Sequence, residues 1–416
     1  PYTMYGIGEQ NTPGTLSMRS MGGAGVAMRS PGTLNLLNPA AYSAAPQKTF
    51  LFNFGLEGQN YYNSQKVAGE SKSTAYNTFN FHDIAFQLPL ARRLGLGFSL
   101  TPYSSVGYRV SADEQSDDVW GNIGRVQYLY AGEGDLTEVK LGIGWEVVKR
   151  VSIGVAAQYY WGDIERTYQT VVSNNIVNGG SVNTVTGTDS YGISRIKMQL
   201  GLQADLIQSE RQVLTLGATY DMGGNLRPSV NQTVVNGDIY GTVVRGDTTR
   251  MALKLPVQLG VGLYYQNAKI AAGVDYIYQN WENNESPKAV PGAVNVAYKN
   301  TNTVKLGFEY TPNRMDIRNY LKRWSYRVGF RYGTYYQTFE GKTLSQYAVT
   351  AGFGMPVRFL GRSSIDFGVE FGQRGNDSPL RIDNRQIGLV RQRYVKFSLG
   401  LTLFGEDSWF VRYKYD

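Results

Sequence analysis

The chain contains no cysteine among its 416 residues. That excludes a disulfide framework, a thiolate zinc site and a cysteine-borne lipid anchor within this sequence. It has one histidine, His82, so there is no multi-histidine metal site and no Ser-His-Asp triad on any other base. No nucleophile, base and acid can be assembled, and the expectation is a protein that is not an enzyme and uses no cofactor. No run of 18 apolar residues occurs, so no helix of this chain is expected to cross a bilayer. Despite a net charge of +8, Lys and Arg form no stripe. Nucleic-acid binding is therefore not expected, and attraction to outer-membrane lipid or lipopolysaccharide suits the charge better. Pro1-Tyr2-Thr3 opens without a charged and apolar leader, so an exported protein of this sequence would have had its signal peptide removed.

What is present is glycine and aromatics: 49 Gly, 31 Tyr, 17 Phe and 6 Trp, against only 14 Pro. That mix suits many strands with turns. Strict alternation dominates. Val139-Lys140-Leu141-Gly142-Ile143-Gly144-Trp145-Glu146-Val147 places every large apolar residue on one face. Stretches 365–371 and 395–403 repeat the design. About fourteen such strands can be counted, joined by connectors that alternate between short and long. That rhythm predicts an all-β fold: a 14-stranded antiparallel transmembrane barrel in the bacterial outer membrane, with short turns and both termini on the periplasmic side. Aromatics near strand ends fit interface girdles.

Opposite the apolar face, nearly every strand carries a glycine at a similar depth: Gly97, Gly144, Gly154, Gly201, Gly217, Gly262, Gly273, Gly307, Gly329, Gly352, Gly368 and Gly400. Glycine in a strand marks a close approach by something else. The sequence before the first strand, 1–48, lacks alternation and is rich in small residues. It is expected to fill the space beside those glycines as a plug, followed by the barrel over 49–404 and a periplasmic tail over 405–416. Within it, Asn38 is placed as a helix N-cap with Pro39 at the first helical position. Leu34, Leu36, Leu37 and Tyr42 are the candidates for an apolar ligand lining. The run Gly22-Gly23-Ala24-Gly25 is not a nucleotide loop, because no strand precedes it and no Lys-Ser/Thr follows.

The segment Arg19-Ser20-Met21-Gly22-Gly23-Ala24-Gly25-Val26-Ala27, followed by Asn38-Pro39-Ala40, resembles the plug of the FadL-type outer-membrane transport proteins. The resemblance implies a 14-stranded barrel with an N-terminal hatch and passive uptake of fatty-acid-like, hydrophobic small molecules. Ligand would enter through the outer loops and leave when the hatch shifts or through a gap in the wall. The gate would involve Arg19, Gly22, Gly23, Gly25, Asn38, Pro39 and Ala40.

Two departures stand out. Where family hatches often carry acidic residues, this chain has Met28-Arg29-Ser30-Pro31-Gly32. It also runs past its last strand into an aromatic, basic tail, as do members from the Bacteroidota. There, relatives serve as subunits of secretion or assembly machines. The second function class is therefore a non-transporting accessory barrel in a complex with other outer-membrane or periplasmic proteins.

Further candidates are weaker. Both charge signs line the lumen face, where they are expected to pair with each other and with the plug. Asp113, Asp117 and Asp118 share a long loop and offer carboxylates for Ca²⁺, although a solvated acidic loop is the favoured reading. His82 shares strand parity with Ile84 and Phe86 and is expected to face outward. Arg314–Arg323 is expected to form a short amphipathic helix. With Trp409, Phe410 and Arg412 it offers Arg318 and Tyr320 either to a partner or to the membrane interface.

Overall fold

The computed structural model describes residues 2–67, 70–114, 117–122, 124–173, 182–237, 242–250, 253–282, 295–357, 363–376, 379–382 and 385–406. Fourteen long strands build the wall: β1 Thr49–Val67, β2 Glu70–Ala91, β3 Leu94–Asp113, β4 Arg125–Val148, β5 Val151–Ser173, β6 Val182–Gln208, β7 Gln212–Asp221, β8 Val257–Asn267, β9 Ile270–Asn280, β10 Thr301–Tyr310, β11 Ser325–Phe339, β12 Lys342–Val357, β13 Ser363–Arg374 and β14 Arg391–Glu406. Each pairs antiparallel with its neighbours in sequence, and β1 pairs with β14 from Thr49↔Glu406 to Ser64↔Arg391. The sheet is thus a closed 14-stranded antiparallel barrel.

Burial along the strands is the inverse of a soluble protein. On β4, Lys140, Gly142 and Gly144 are buried, whereas Leu141, Ile143 and Trp145 are exposed. Ile153, Leu200, Leu259, Val328 and Phe397 continue the exposed apolar band around the wall. Apolar side chains outside and polar ones inside are what a bilayer solvent selects. The protein is an outer-membrane β-barrel.

Several strands are far longer than a bilayer crossing needs. Segments 57–67, 70–76, 105–113, 125–136, 162–173 and 182–192 continue as strand beyond the stretches that apolar alternation marks. Above the membrane both faces meet water, so the apolar alternation fades although the hydrogen-bond ladder continues. A hairpin of Ser229–Gly237 and Thr242–Arg250 extends the sheet from β6.

Among the described residues, the ladder between β2 and β3 is interrupted. β2 and β3 pair only from Ile84↔Leu100 down to Ala91↔Leu94. Above that level β2 runs on to Glu70 paired only with β1. The corresponding edge of β3 is met by a two-residue strand, Glu9–Gln10, from the N-terminal segment. At a strand rise of about 3.3 Å per residue and a tilt near 40°, this seam opens roughly 16 Å above the short-turn end, within the outer half of the spanning band.

Candidate functional site

The N-terminal residues lie inside the barrel. The backbone of Gly22 and Gly23 turns through left-handed φ values of 70° and 80°. This brings the chain close against β10 and β11. A Cβ on Gly329 would overlap the backbone of Met21 and Gly22, and one on Gly154 would overlap that of Pro39 and Ala40. Every one of the twelve strand glycines named above has an atom of this segment within 3.4 Å of its would-be Cβ. The small-residue face of the wall is the imprint of the segment that it holds.

The glycine run does hold an anion, one that belongs to the wall. Asp275 on β9 accepts the N–H of Gly25 at 2.6 Å and of Val26 at 2.9 Å. Successive backbone N–H groups in such a turn form an anion-binding concavity. Asn35 joins this turn to the next. Its amide donates to the carbonyls of Gly25 (2.8 Å) and Met28 (2.7 Å), while its Oδ1 accepts from Leu37 and Asn38. Asn38 caps the 3₁₀ turn Pro39–Ala44 by accepting from the Ala40 N–H. Its amide reaches the carbonyls of Val26 at 2.9 Å and Leu202 at 3.1 Å. Asn35 is absent from the sequence-level candidates, although a turn-forming Asn three residues before Asn38 is a readable signal.

Charges fasten the segment to opposite sides of the wall. Arg19 pairs with Glu57 on β1, both nearly buried. Arg29 pairs with Asp205 on β6 at 2.8 Å and lies 3.6 Å from Glu146 on β4. Thus, where the resemblance implies an acidic hatch, this chain has a basic residue facing acidic strands. Lumen charges of the wall also pair among themselves, as in Arg331–Glu370 at 2.6 Å and Arg327–Glu309 at 2.7 Å.

The first residues form an arm that climbs toward the long-connector end. The Tyr2 hydroxyl donates to the Val390 carbonyl, and the Thr3 hydroxyl donates to that of Gly107. Tyr2 and Ile7 join Trp281, Tyr336, Phe339 and Leu344 in an apolar cluster across that mouth. Tyr2 therefore lies at the opposite end of the barrel from Glu406, where β14 runs down.

Arg374 meets Glu9 in the arm at 2.8 Å. Burial opposes ionisation of Glu9, but the Arg374 guanidinium and Lys396 outweigh it and hold the carboxyl at about 2. A depressed carboxyl pKa gives stability that is complete above the unfolded value near 4.5 and lost as pH falls toward 2. Hydrogen exchange at Gln10 and Asn11, corrected for intrinsic rates, should therefore accelerate between pH 4.5 and 2. Glu9→Gln should show no such titration.

The residues expected to line a ligand pocket are instead used in packing. Leu34 and Leu36 pack with Leu51 and Ala85, and Tyr42 fills the space over Gly97 and Gly142. Leu37 alone among them borders the cavity of about 180 Å³ beside the arm, whose lining includes six Lys or Arg side chains. His82 is a correction: it is buried and lies against Gly55 inside the wall, paired with Asp83. A bulge opposite Gly55 inserts one extra residue, which reverses the parity.

Arg314–Arg323 is a second correction. Only Tyr320–Arg323 forms a single 3₁₀ turn. The side chains of Asn313, Asp316 and Asn319 accept nearby backbone N–H groups and compete with helix formation. Asp113 accepts from Gln127, and among the described residues no group of three acidic or histidine side chains is positioned for a metal. Trp409, Phe410 and Arg412 lie outside the described residues.

A family model described as BamG matches residues 1–416. No curated protein matches the sequence. Among the solved structures similar in fold, three illustrate the likeness. A Pseudomonas aeruginosa FadL homologue has a TM-score of 0.68 at 13% identity, covering 97% of this chain and 100% of that one. The CymD monoaromatic hydrocarbon channel gives 0.57 at 12%, covering 97% and 98%. The Ralstonia pickettii toluene transporter TbuX gives 0.53 at 14%, covering 94% and 98%. At such identities the likeness establishes the fold.

Proposed function

The chain belongs to the BamG family, and on that premise we propose that it is a non-enzymatic, non-conducting accessory barrel within an outer-membrane protein assembly or secretion complex. One observation carries this reading: the lumen is filled by a segment fastened to β1, β4, β6 and β9 through Glu57, Glu146, Asp205 and Asp275. A route for apolar molecules needs a mostly apolar lining, and the cavity that remains beside the arm is bordered by six Lys or Arg side chains and three carboxylates. The residues Arg19, Gly22, Gly23, Gly25, Asn38, Pro39 and Ala40 then act as a fixed closure. The apolar band contacts outer-membrane lipid, with lipopolysaccharide around the long connectors and the short turns in the periplasm.

The partner surface in this reading is the 311–324 turn. Ile317 is 97% exposed and Met315 85%, on a loop pinned by Asp316 and by the Tyr320 hydroxyl on the Pro356 carbonyl. A rigid loop that presents bare apolar tips beside Arg318 and Tyr320 has the composition of an interface anchor.

A second reading, plug-gated uptake of a hydrophobic small molecule, is favoured by the seam between β2 and β3. Native mass spectrometry of the protein extracted from its own outer membrane separates the two. A stoichiometric assembly that weakens by about tenfold or more in Ile317→Glu supports the accessory role. A lone barrel carrying an apolar small molecule overturns it.

A further inference from the structure

The cavity of about 180 Å³ lies between the arm and the base of the plug. Its lining holds six Lys or Arg side chains against three carboxylates. Four of the cations spend their contacts elsewhere. Arg374 meets Glu9, Lys396 meets Glu57, Lys140 meets Glu138, and Lys197 donates to the Asn225 carbonyl. The other two are Lys305 and Arg331, which stand directly opposite each other on β10 and β11. Like charges in a cross-strand pair are destabilising unless something lies between them.

Neither of these two is saturated. Arg331 gives one amino group to Glu370, while its Nη1 is buried without a partner. Lys305 is 7% exposed, and its ammonium makes no hydrogen bond or ion pair with any described residue. Its neighbour on the other side is Asp275, whose Oδ2 is engaged by the N–H groups of Gly25 and Val26. Asp275 and Glu370 attract the ammonium, but neither accepts a hydrogen bond from it, and a buried ammonium whose donors are unmet is disfavoured. Thr303, Thr334 and Gln346 border the same cavity and add neutral donors.

We propose that Lys305 and the free Nη1 of Arg331 form a binding site inside the lumen for a small oxyanion, a carboxylate or phosphate group. The guanidinium supplies directional donors and the ammonium a point charge, the pairing used for such groups. The bound anion sits between the two cations and converts their repulsion into a shared attraction. This site is independent of the partner-binding reading, since it lies within the barrel and none of its residues belongs to the 311–324 turn.

The test uses the full-length protein in detergent. Inorganic phosphate is titrated at constant ionic strength made up with potassium chloride, and the barrel's unfolding rate is followed by its heat-modifiable gel mobility. Wild type should unfold about tenfold more slowly at saturating phosphate, because a ligand that binds only the folded state stabilises it. Lys305→Met should lose the dependence and Lys305→Arg should keep it. If Lys305→Met does not fold, Lys305→Gln replaces it. No effect of phosphate on wild type, or an equal effect on wild type and the neutral variant, overturns the site.

Discussion

Deleting residues 4–45 converts this barrel from a silent protein into a steady ion channel in planar bilayers, with a single-channel conductance at least about tenfold above the intact chain, since only the plug fills a lumen of this strand number. The expectation follows from where the segment sits. It abuts β4 and β5 through Pro39 and Ala40 and β10 and β11 through Met21 and Gly22, so its loss empties the cross-section. The barrel itself should survive. Its strand ladder runs from β3 around to β14 and through β1 to β2 without the N-terminal residues. Heat-modifiable mobility of the deleted protein checks that point. Unchanged conductance in a folded barrel would sink the plug as the seal.

The second large effect is energetic. Arg19→Met removes the partner of Glu57, whose side chain is only 4% exposed. Breaking a buried ion pair from one side typically destabilises by about 3–5 kcal/mol, because the remaining charge is left uncompensated. Lys396 at 3.6 Å and the Ser398 hydroxyl at 3.1 Å still attend Glu57, which places the expected loss at the lower end, about 3 kcal/mol. Adding Glu57→Gln should recover much of it, and a double-mutant cycle in urea isolates the coupling. A single-mutant loss below about 1 kcal/mol would mean that the pair is effectively solvated.

The wall was legible because a bilayer imposes a two-residue period that nothing else in the chain imitates. Val139–Val147 states both faces in nine letters. The glycine row was legible for the same reason: an empty position repeated at one depth implies an occupant. What escaped the reading depends on events with no period. One inserted residue beside Gly55 turned His82 inward. Three Asx side chains broke up the expected helix at Arg314–Arg323. The direction of the arm is set by contacts such as Glu9 with Arg374, which join residues 365 positions apart. Composition could indicate that 1–48 fills the lumen but not which end it enters from.

The seam between β2 and β3 also has a mechanical meaning. A cylinder stitched all the way round resists any change of girth, because every ladder shares the hoop tension. Among the described residues, β2 and β3 are stitched together only up to Ile84↔Leu100, and above that the wall is slit between them. Lateral pressure from the outer leaflet therefore has a place to be relieved along that line. The lower half keeps its bore while the upper half can flex like a split collar, with Glu9 and Gln10 lying along one lip of the cut.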